Sequence, residues 1–345
     1  MDPAKLRTAL SEQVASEGLD AFAVATVEPL PRDQAAFDVW LARGYHRSMA
    51  YMEKYRDARN DPARLLPGCR SVVMVALNYG PGADDAGPGP PAGQVARYAR
   101  GRDYHKVLGK KLKRLAAWLQ DAAGSPVRSF VDTGPVLERA WAERAGLGWI
   151  GKNANLIRRD LGSWILLGEL LAVAEIEPDP SSHDDYCGSC TACITDCPTG
   201  AIVAPGVVDS GLCIAYWNIE HRGSIPEPMR EAMGDRIFGC DDCQVVCPWT
   251  RTFGKRPPAD LLSARDDLAF LDPMEILAMN REEFLARFAG TPVMRARLDG
   301  MRRNACIVLG NSGNPDGIPA LTLAVSDPDP MIREHAAWAL ARLQG

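Results

Sequence analysis

Cys187-Gly-Ser-Cys190-Thr-Ala-Cys193-Ile-Thr-Asp-Cys197-Pro198 is the stretch that decides how this chain folds. Its C-x2-C-x2-C-x3-C-P spacing is the bacterial ferredoxin run, in which three thiolates hold one iron–sulfur cluster and the fourth crosses to another. A partner run follows in stretched form. Cys240-x2-Cys243-x3-Cys247-Pro248 keeps the latter part, and Cys213 stands in for the missing first cysteine. The crossing rule then gives two 4Fe-4S clusters, the first on Cys187, Cys190, Cys193 and Cys247, the second on Cys213, Cys240, Cys243 and Cys197. Thiolates suit such soft centres. Paired structural zinc sites are the alternative, but zinc does not need this spacing. A radical S-adenosylmethionine site would need C-x3-C-x2-C, and Gly200 and Thr250 stand where the last cysteine would fall. The other two cysteines, Cys69 and Cys306, read as buried thiols. A disulfide framework does not suit a reducing compartment.

Working outward, helical and strand patterns alternate before the clusters. Ala4 to Glu17 reads as helix, AFAVATV (21–27) as strand, FDVWLARGYHRSMAYMEKY (37–55) as helical and SVVMVALNY (71–79) as an apolar strand. Helical patterns return over Tyr104 to Ala123 and Val136 to Ala145, and SWILLGELLAVAEI (163–176) supplies one or two buried strands. The Gly/Pro-rich Gly80 to Gln94 is expected to be a surface loop that neither helix nor strand crosses. After Pro258 the chain becomes helical, and Met301-Arg302-x2-Ala305-x3-Leu309 repeats as Ile332-Arg333-x2-Ala336-x3-Leu340, 31 residues on. Such units resemble short HEAT-like repeats, which offer a surface to a large partner; a plain helical hairpin is the alternative. The expected architecture is α+β and multidomain: an α/β domain over 1–177, a two-cluster ferredoxin-like domain over 178–257 and helical repeats over 258–345.

The composition, 46% hydrophobic and 24% charged over 345 residues, excludes disordered, collagen-like and coiled-coil classes. A net charge of −5 excludes a globally basic nucleic-acid coat and leaves room for a local patch. The stretch from Arg97 to Arg114 sets eight positive residues, Lys110, Lys111 and Lys113 among them, against Asp103 alone. It is a phosphate-contact candidate, with a solvated helix face as the alternative. The N-terminus has no apolar secretory segment, and the apolar run Trp164 to Ile176 is broken by Glu169 and Glu175, too short for a bilayer. A cytoplasmic protein without membrane contact is expected, and a monomer, since no self-complementary apolar stripe stands out.

Two motifs tempt and fail. Gly146-x-Gly148-x2-Gly151-Lys152 fits the dinucleotide fingerprint and the front of a phosphate loop, but a helical pattern precedes it where a strand is required. Asp103-x-His105-x3-Gly109 is one residue too long for the cobalamin motif D-x-H-x2-G. His46, His183 and His335 show no partner pattern.

The segment DTGPVLERAWAERAGLGWIGKNANLI (132–157), the double ferredoxin run, GCDDCQVVCPW (239–249) and the repeat tail together resemble the epoxyqueuosine reductases over nearly the whole chain. That resemblance implies cobalamin bound in the α/β domain, two 4Fe-4S clusters, and reduction of the epoxide of epoxyqueuosine to the alkene of queuosine at the tRNA wobble position. It implies Asp132 as proton donor, held protonated in a poorly solvated pocket; the residue-level alternative is a helix N-cap near Pro135. It also suggests Arg59, Asp132, Asn155, Ile157 and Gly168 as cobalamin contacts, without ligation by His105. Tyr216, Asp241 and Asp242 would lie where the second cluster faces the corrin. Arg222 would touch the anticodon stem-loop, and an external donor would supply electrons. Three rivals remain: a ferredoxin-like carrier, which would not bind cobalamin; a reductive dehalogenase, which usually carries a twin-arginine signal; and a scaffold that would unfold on losing its clusters.

Overall fold

The computed structural model describes the chain except for residues 81–86, 182–184, 255–261, 263 and 266. His183, residues 81–86 of the Gly80 to Gln94 loop and the boundary at 257/258 therefore fall outside the described residues.

Helix α1 (Pro3–Ser16) starts where the Asp2 carboxylate accepts the N–H groups of Ala4 and Lys5, and it buries Leu6, Leu10 and Val14 at four-residue spacing. Strand β1 (Ala21–Thr26) follows, then helices α2 (Pro31–Ala42), α3 (Ala50–Lys54) and α4 (Arg56–Asn60). The helical pattern of 37–55 is thus not one helix. Gly44 and Arg47 take left-handed backbone conformations, and the Arg47 guanidinium reaches across to the Asp209 carboxylate at 2.6 Å. Strand β2 (Ser71–Asn78) is buried at every residue, and β3 (Gly93–Val95) closes the Gly/Pro segment. The end of that segment is therefore strand rather than loop. Helix α5 (Tyr104–Ala123) spans the range the sequence pattern predicts, and is capped by Asp103 and ended by left-handed Gly124. Strand β4 (Val127–Phe130), helix α6 (Glu138–Arg144), the hairpin of β5 (Trp149–Ile150) and β6 (Leu156–Ile157), and β7 (Ile165–Ala172) complete this part.

Helices and strands alternate as expected, yet every pairing in the central sheet, ordered β1-β2-β7-β4, is antiparallel. Strand alternation sorts side chains to two faces. Val73, Val75 and Leu77 of β2 meet Leu6, Leu108 and Leu112 of α1 and α5, while Val72, Met74 and Ala76 meet Trp141 and Ala140 of α6. Gly168 falls on the α5 face, where a Cβ would come within 2.6 Å of Leu112. Glu169 falls on the other face, toward α6, fully buried.

The cluster segment holds short elements only: α7 (Ala192–Thr195), β8 (Ile202–Ala204), β9 (Val207–Val208), a π-helical turn at Tyr216–Glu220, α8 (Glu227–Met233), β10 (Arg236–Phe238), α9 (Asp242–Val245) and α10 (Pro248–Phe253). After β11 (Phe270–Leu271) come α11 (Pro273–Ala278), α12 (Arg281–Phe288), α13 (Arg297–Ser312), α14 (Ile318–Ala324) and α15 (Pro330–Gln344). The repeat arginines share a job: Arg302 pairs with the Asp327 carboxylate and Arg333 donates to the Asp327 carbonyl. Strand β3 pairs with both β10 and β11, so one small sheet draws strands from all three segments.

A buried polar seam ties the repeats to the chain after Cys213. Arg303, 1% exposed, donates to the carbonyls of Trp217, His221 and Gly223, and Asn304 to those of Asn218 and Ile237. His335 is a core histidine whose Nε2 accepts the Ile225 N–H, and burial pushes it down to about 4. Arg303→Met strands three buried carbonyls and is expected to cost about 3 kcal/mol in denaturant unfolding; an unchanged midpoint would show the seam to be dispensable. Among the described residues no helix is long and apolar enough to cross a membrane.

Candidate active site

The turn between β4 and α6 carries Asp132 with φ +55°, a left-handed conformation that aspartate tolerates better than most residues. Its N–H donates to Glu138 Oε1 at 2.7 Å, which pins the turn. Helix α6 has no side-chain cap, so Asp132 is not its N-cap. Instead Asp132 Oδ2 accepts the Tyr104 hydroxyl at 2.8 Å and lies 3.1 Å from His105 Nε2, while His105 Nδ1 lies 2.8 Å from Asp103. The Asp103 that caps α5 thus also orients the ring beside Asp132.

The charge state differs from the sequence expectation. Burial pushes the Asp132 carboxyl up, but bonds from His105 and Tyr104 outweigh it and hold it below the usual range. Burial pushes His105 down, but its bonds to Asp103 and Asp132 raise it to about 9. At neutral pH the proton therefore rests on His105, ion-paired with Asp132, and not on an isolated carboxyl. The ring dismissed on motif spacing is the one that holds the proton. Burial and neighbouring Asp132 keep Tyr104 protonated. A one-residue misfit to a motif gave no hint of this, since the contact joins residues 27 apart.

Asp132 opens onto a cavity of about 260 Å3 with an apolar floor of Ile165, Leu166 and Leu167 and polar edges at Asn155 and Gln244. Gln244 follows Cys243, and its Oε1 accepts the Ser163 hydroxyl at 2.9 Å; Asn153 Nδ2 donates to the Cys243 carbonyl at 3.1 Å. The second cysteine set therefore borders the cavity. A second cavity of about 340 Å3, lined by Arg97, Arg236, Asp241 and Asp242, lies beyond the same turn.

The other named residues divide. Arg59 stands within Coulombic reach of Asp132, Glu138 and Glu169, and its buried Nε has no hydrogen-bond partner. Gly168 lies under Leu112, and Ile157 packs with Trp149 and Cys247, where Gly148 lets the hairpin close because a Cβ there would strike the Ile157 carbonyl. The Tyr216 hydroxyl lies 2.7 Å from Ser48 Oγ. Asp242 pairs with Arg236 at 2.7 Å, and Asp241 accepts the Arg97 N–H at 2.7 Å.

The basic stretch does not form one surface. Arg100 is buried against the Val95 carbonyl, Arg97 lies 5.1 Å from the Trp164 ring, Lys111 donates to the Glu17 carbonyl, and Arg114 pairs with Glu17. Arg222, in turn, donates to the carbonyls of Ile219, Arg295 and Ala296. It sits among Arg297 and Arg295; Arg295 is paired with Glu220 at 2.7 Å, remains exposed, and is within Coulombic reach of Asp132. Arg297 is exposed and holds φ +62°, ψ 168°, a conformation that costs about 1–3 kcal/mol in a non-glycine residue and marks functional sites.

Cys193 lies within Coulombic reach of Cys187, Cys190 and Cys247, Cys213 of Cys197, and Cys243 of Cys240, Cys213 and also Cys193. Among the described residues no three His, Cys, Asp or Glu side chains converge on the spacing of a single ion.

One-electron centres set against a cleft that holds a proton are the equipment of a reductase, and by fold and site this is an iron–sulfur oxidoreductase. Family models match at residues 59–133 (Epoxyqueuosine reductase QueG, DUF1730), 186–250 (4Fe-4S double cluster binding domain) and 293–345 (HEAT repeats). The chain belongs to the epoxyqueuosine reductase family. It is 40% identical to the epoxyqueuosine reductase of Pseudomonas aeruginosa over 99% of this chain and 95% of that one, and 41% identical to that of Xanthomonas campestris over 98% and 95%. Among solved structures, an epoxyqueuosine reductase with a tRNA-Tyr epoxyqueuosine-modified stem loop superposes with TM-score 0.92 at 31% identity, covering 99% of this chain and 91% of that one. The Bacillus subtilis enzyme, with its catalytic aspartate loop swung out of the active site, superposes with TM-score 0.88 at 30% identity, covering 98% and 90%.

Proposed function

We propose that the chain reduces epoxyqueuosine in tRNA to queuosine, with Asp132 delivering the proton that the departing oxygen needs. The observation that carries the reading is Asp132 held between a proton-bearing His105 and a cavity bordered by the second cysteine set. The balance is epoxide plus two electrons and two protons to alkene plus water. Two 4Fe-4S clusters supply electrons singly, and cobalamin, when bound, offers a metal centre that combines them into a two-electron, carbon-directed reduction. The residues fit that cofactor: the apolar floor of Ile165, Leu166 and Leu167 suits a flat macrocycle, and Asp132, Asn155 and Gln244 suit its polar rim. Arg59, with a partnerless buried Nε, is a further candidate contact.

In this reading the proton held on His105 Nε2 passes through Asp132 Oδ2 as the oxygen departs, Asp103 keeps the ring oriented, and Tyr104 fixes the carboxylate. The cluster bordering the cavity passes the last electron, and an external donor feeds the chain, which acts as a monomer. The segments 1–177, 178–257 and 258–345 then supply the cofactor pocket, the electrons and the RNA-facing surface.

Substrate RNA binds through phosphates and splayed bases. Arg222, Arg295 and Arg297 at the cleft are the phosphate contacts we favour over Lys110, Lys111 and Lys113. Replacing the three arginines with alanine should weaken anticodon stem-loop binding and reduce its log–log salt slope by about 2, at ~0.7 per single-strand phosphate contact. A slope unchanged in the arginine variant, or reduced equally by Lys110→Ala with Lys113→Ala, would return the interface to α5. The activity itself is tested by nucleoside mass spectrometry of tRNA incubated anaerobically with the cluster-loaded protein, cobalamin and a strong reductant. Conversion that depends on cobalamin supports the reading. No conversion with intact clusters favours an electron carrier.

A further inference from the structure

Behind Asp132 lies a feature that the reaction as described does not use. Glu169 sits in mid-strand on β7, between Met74 of β2 and Phe130 of β4 by register, with no exposure to solvent. Neither of its carboxylate oxygens has a hydrogen-bond donor. An ionised carboxylate in such a place is costly unless it is paired or hydrogen-bonded. The group it does meet is another acid, the carboxyl of Glu138 from the first turn of α6. Two carboxyl oxygens can approach in this way only if one of them carries a proton, as in acid pairs that share one proton because both cannot ionise side by side.

We propose that Glu138 and Glu169 are a proton-sharing carboxyl pair that positions Asp132 and raises its hold on the catalytic proton. Positioning runs through Glu138 Oε1, which accepts the Asp132 N–H at 2.7 Å and so fixes the left-handed turn. The hold on the proton runs through charge. With one proton shared, the pair keeps one negative charge next to Asp132, and that charge favours the protonated state of the neighbouring site.

The charged groups facing the pair are Asp132, Arg139 beside Glu138 on α6, and Arg59 from α4. Arg59 keeps the remaining charge tolerable, with Tyr51 on its far side. Burial pushes Glu138 up to about 7 and Glu169 well above the usual carboxylate range, in line with the geometry.

The inference rests on Asp132 being the donor, and its test separates the two claims. Infrared difference spectra of the intact, cluster-loaded protein at neutral pH are expected to show a protonated-carboxyl band that shifts in heavy water and that moves to the frequency of a single unshared acid in both Glu138→Gln and Glu169→Gln, where the remaining buried carboxyl keeps the proton and the pair's negative charge is gone. Either variant should also move the alkaline midpoint of the turnover profile to lower pH by about one unit, because a neutral amide no longer helps the site keep its proton. Glutamine preserves the acceptor for the Asp132 N–H, so a purely structural role would leave that midpoint in place. Absence of the band in the wild-type protein, or an unmoved midpoint in variants that fold and load clusters, overturns the proposal. If Asp132→Asn kept full turnover, the donor assignment would fall while the band remained.

Discussion

Asp132→Asn is expected to keep the fold, both clusters and the cavity while lowering turnover by about 10²–10⁴-fold, the usual contribution of a positioned acid. Asparagine has nearly the shape of aspartate and can still accept the Tyr104 hydroxyl, so its geometry survives; its amide cannot take up the His105 proton and pass it on. The pH dependence gives a second readout with a definite sign. His105 is raised to about 9 by its carboxylate neighbours, so wild-type turnover should be full at neutral pH and fall as pH rises through about 9. Removing the Asp132 charge takes away one of those neighbours, so any residual activity should fall off at lower pH than in the wild type. Single-turnover conversion of epoxyqueuosine, followed by nucleoside mass spectrometry, reads both effects. A variant as fast as wild type would sink the assignment.

The second large effect separates the two cysteine sets. Cys247 stands in the sequence with Cys240 and Cys243 but packs with Cys187, Trp149 and Tyr186. Cys247→Ala should therefore cost the first cluster and spare the second, taking bound iron from about eight atoms to about four. Cys243→Ala should do the reverse. Because Gln244 puts the second set at the cavity, losing that cluster should abolish turnover even with the first intact. Iron and sulfide analysis with electron paramagnetic resonance of the reduced variants distinguishes the outcomes. Loss of the second cluster in Cys247→Ala would mean the sets do not cross.

Sequence alone determined what local chemistry and periodicity can specify. Thiolate spacing announced two clusters. The helical pattern over Tyr104 to Ala123 matched α5, whose Asp103 cap and left-handed Gly124 the structure then supplied. The repeated arginines of the tail marked the helical repeats. Basic residues were counted correctly but not placed, because a run of charge says nothing about which members are spent on Glu17, Trp164 or a buried carbonyl.

Only the tertiary structure decided the site. Asp132 meets His105 across 27 residues and Glu138 across six, and Glu138 meets Glu169 on a strand further along. No periodicity encodes such meetings. A carboxyl's proton affinity depends on burial and on charges brought near by folding. Hence the sequence could single out Asp132 as a candidate acid but not give its protonation state. The packing of α5 and α6 on opposite faces of one antiparallel sheet brought His105 to one side of it and the glutamate pair to the other.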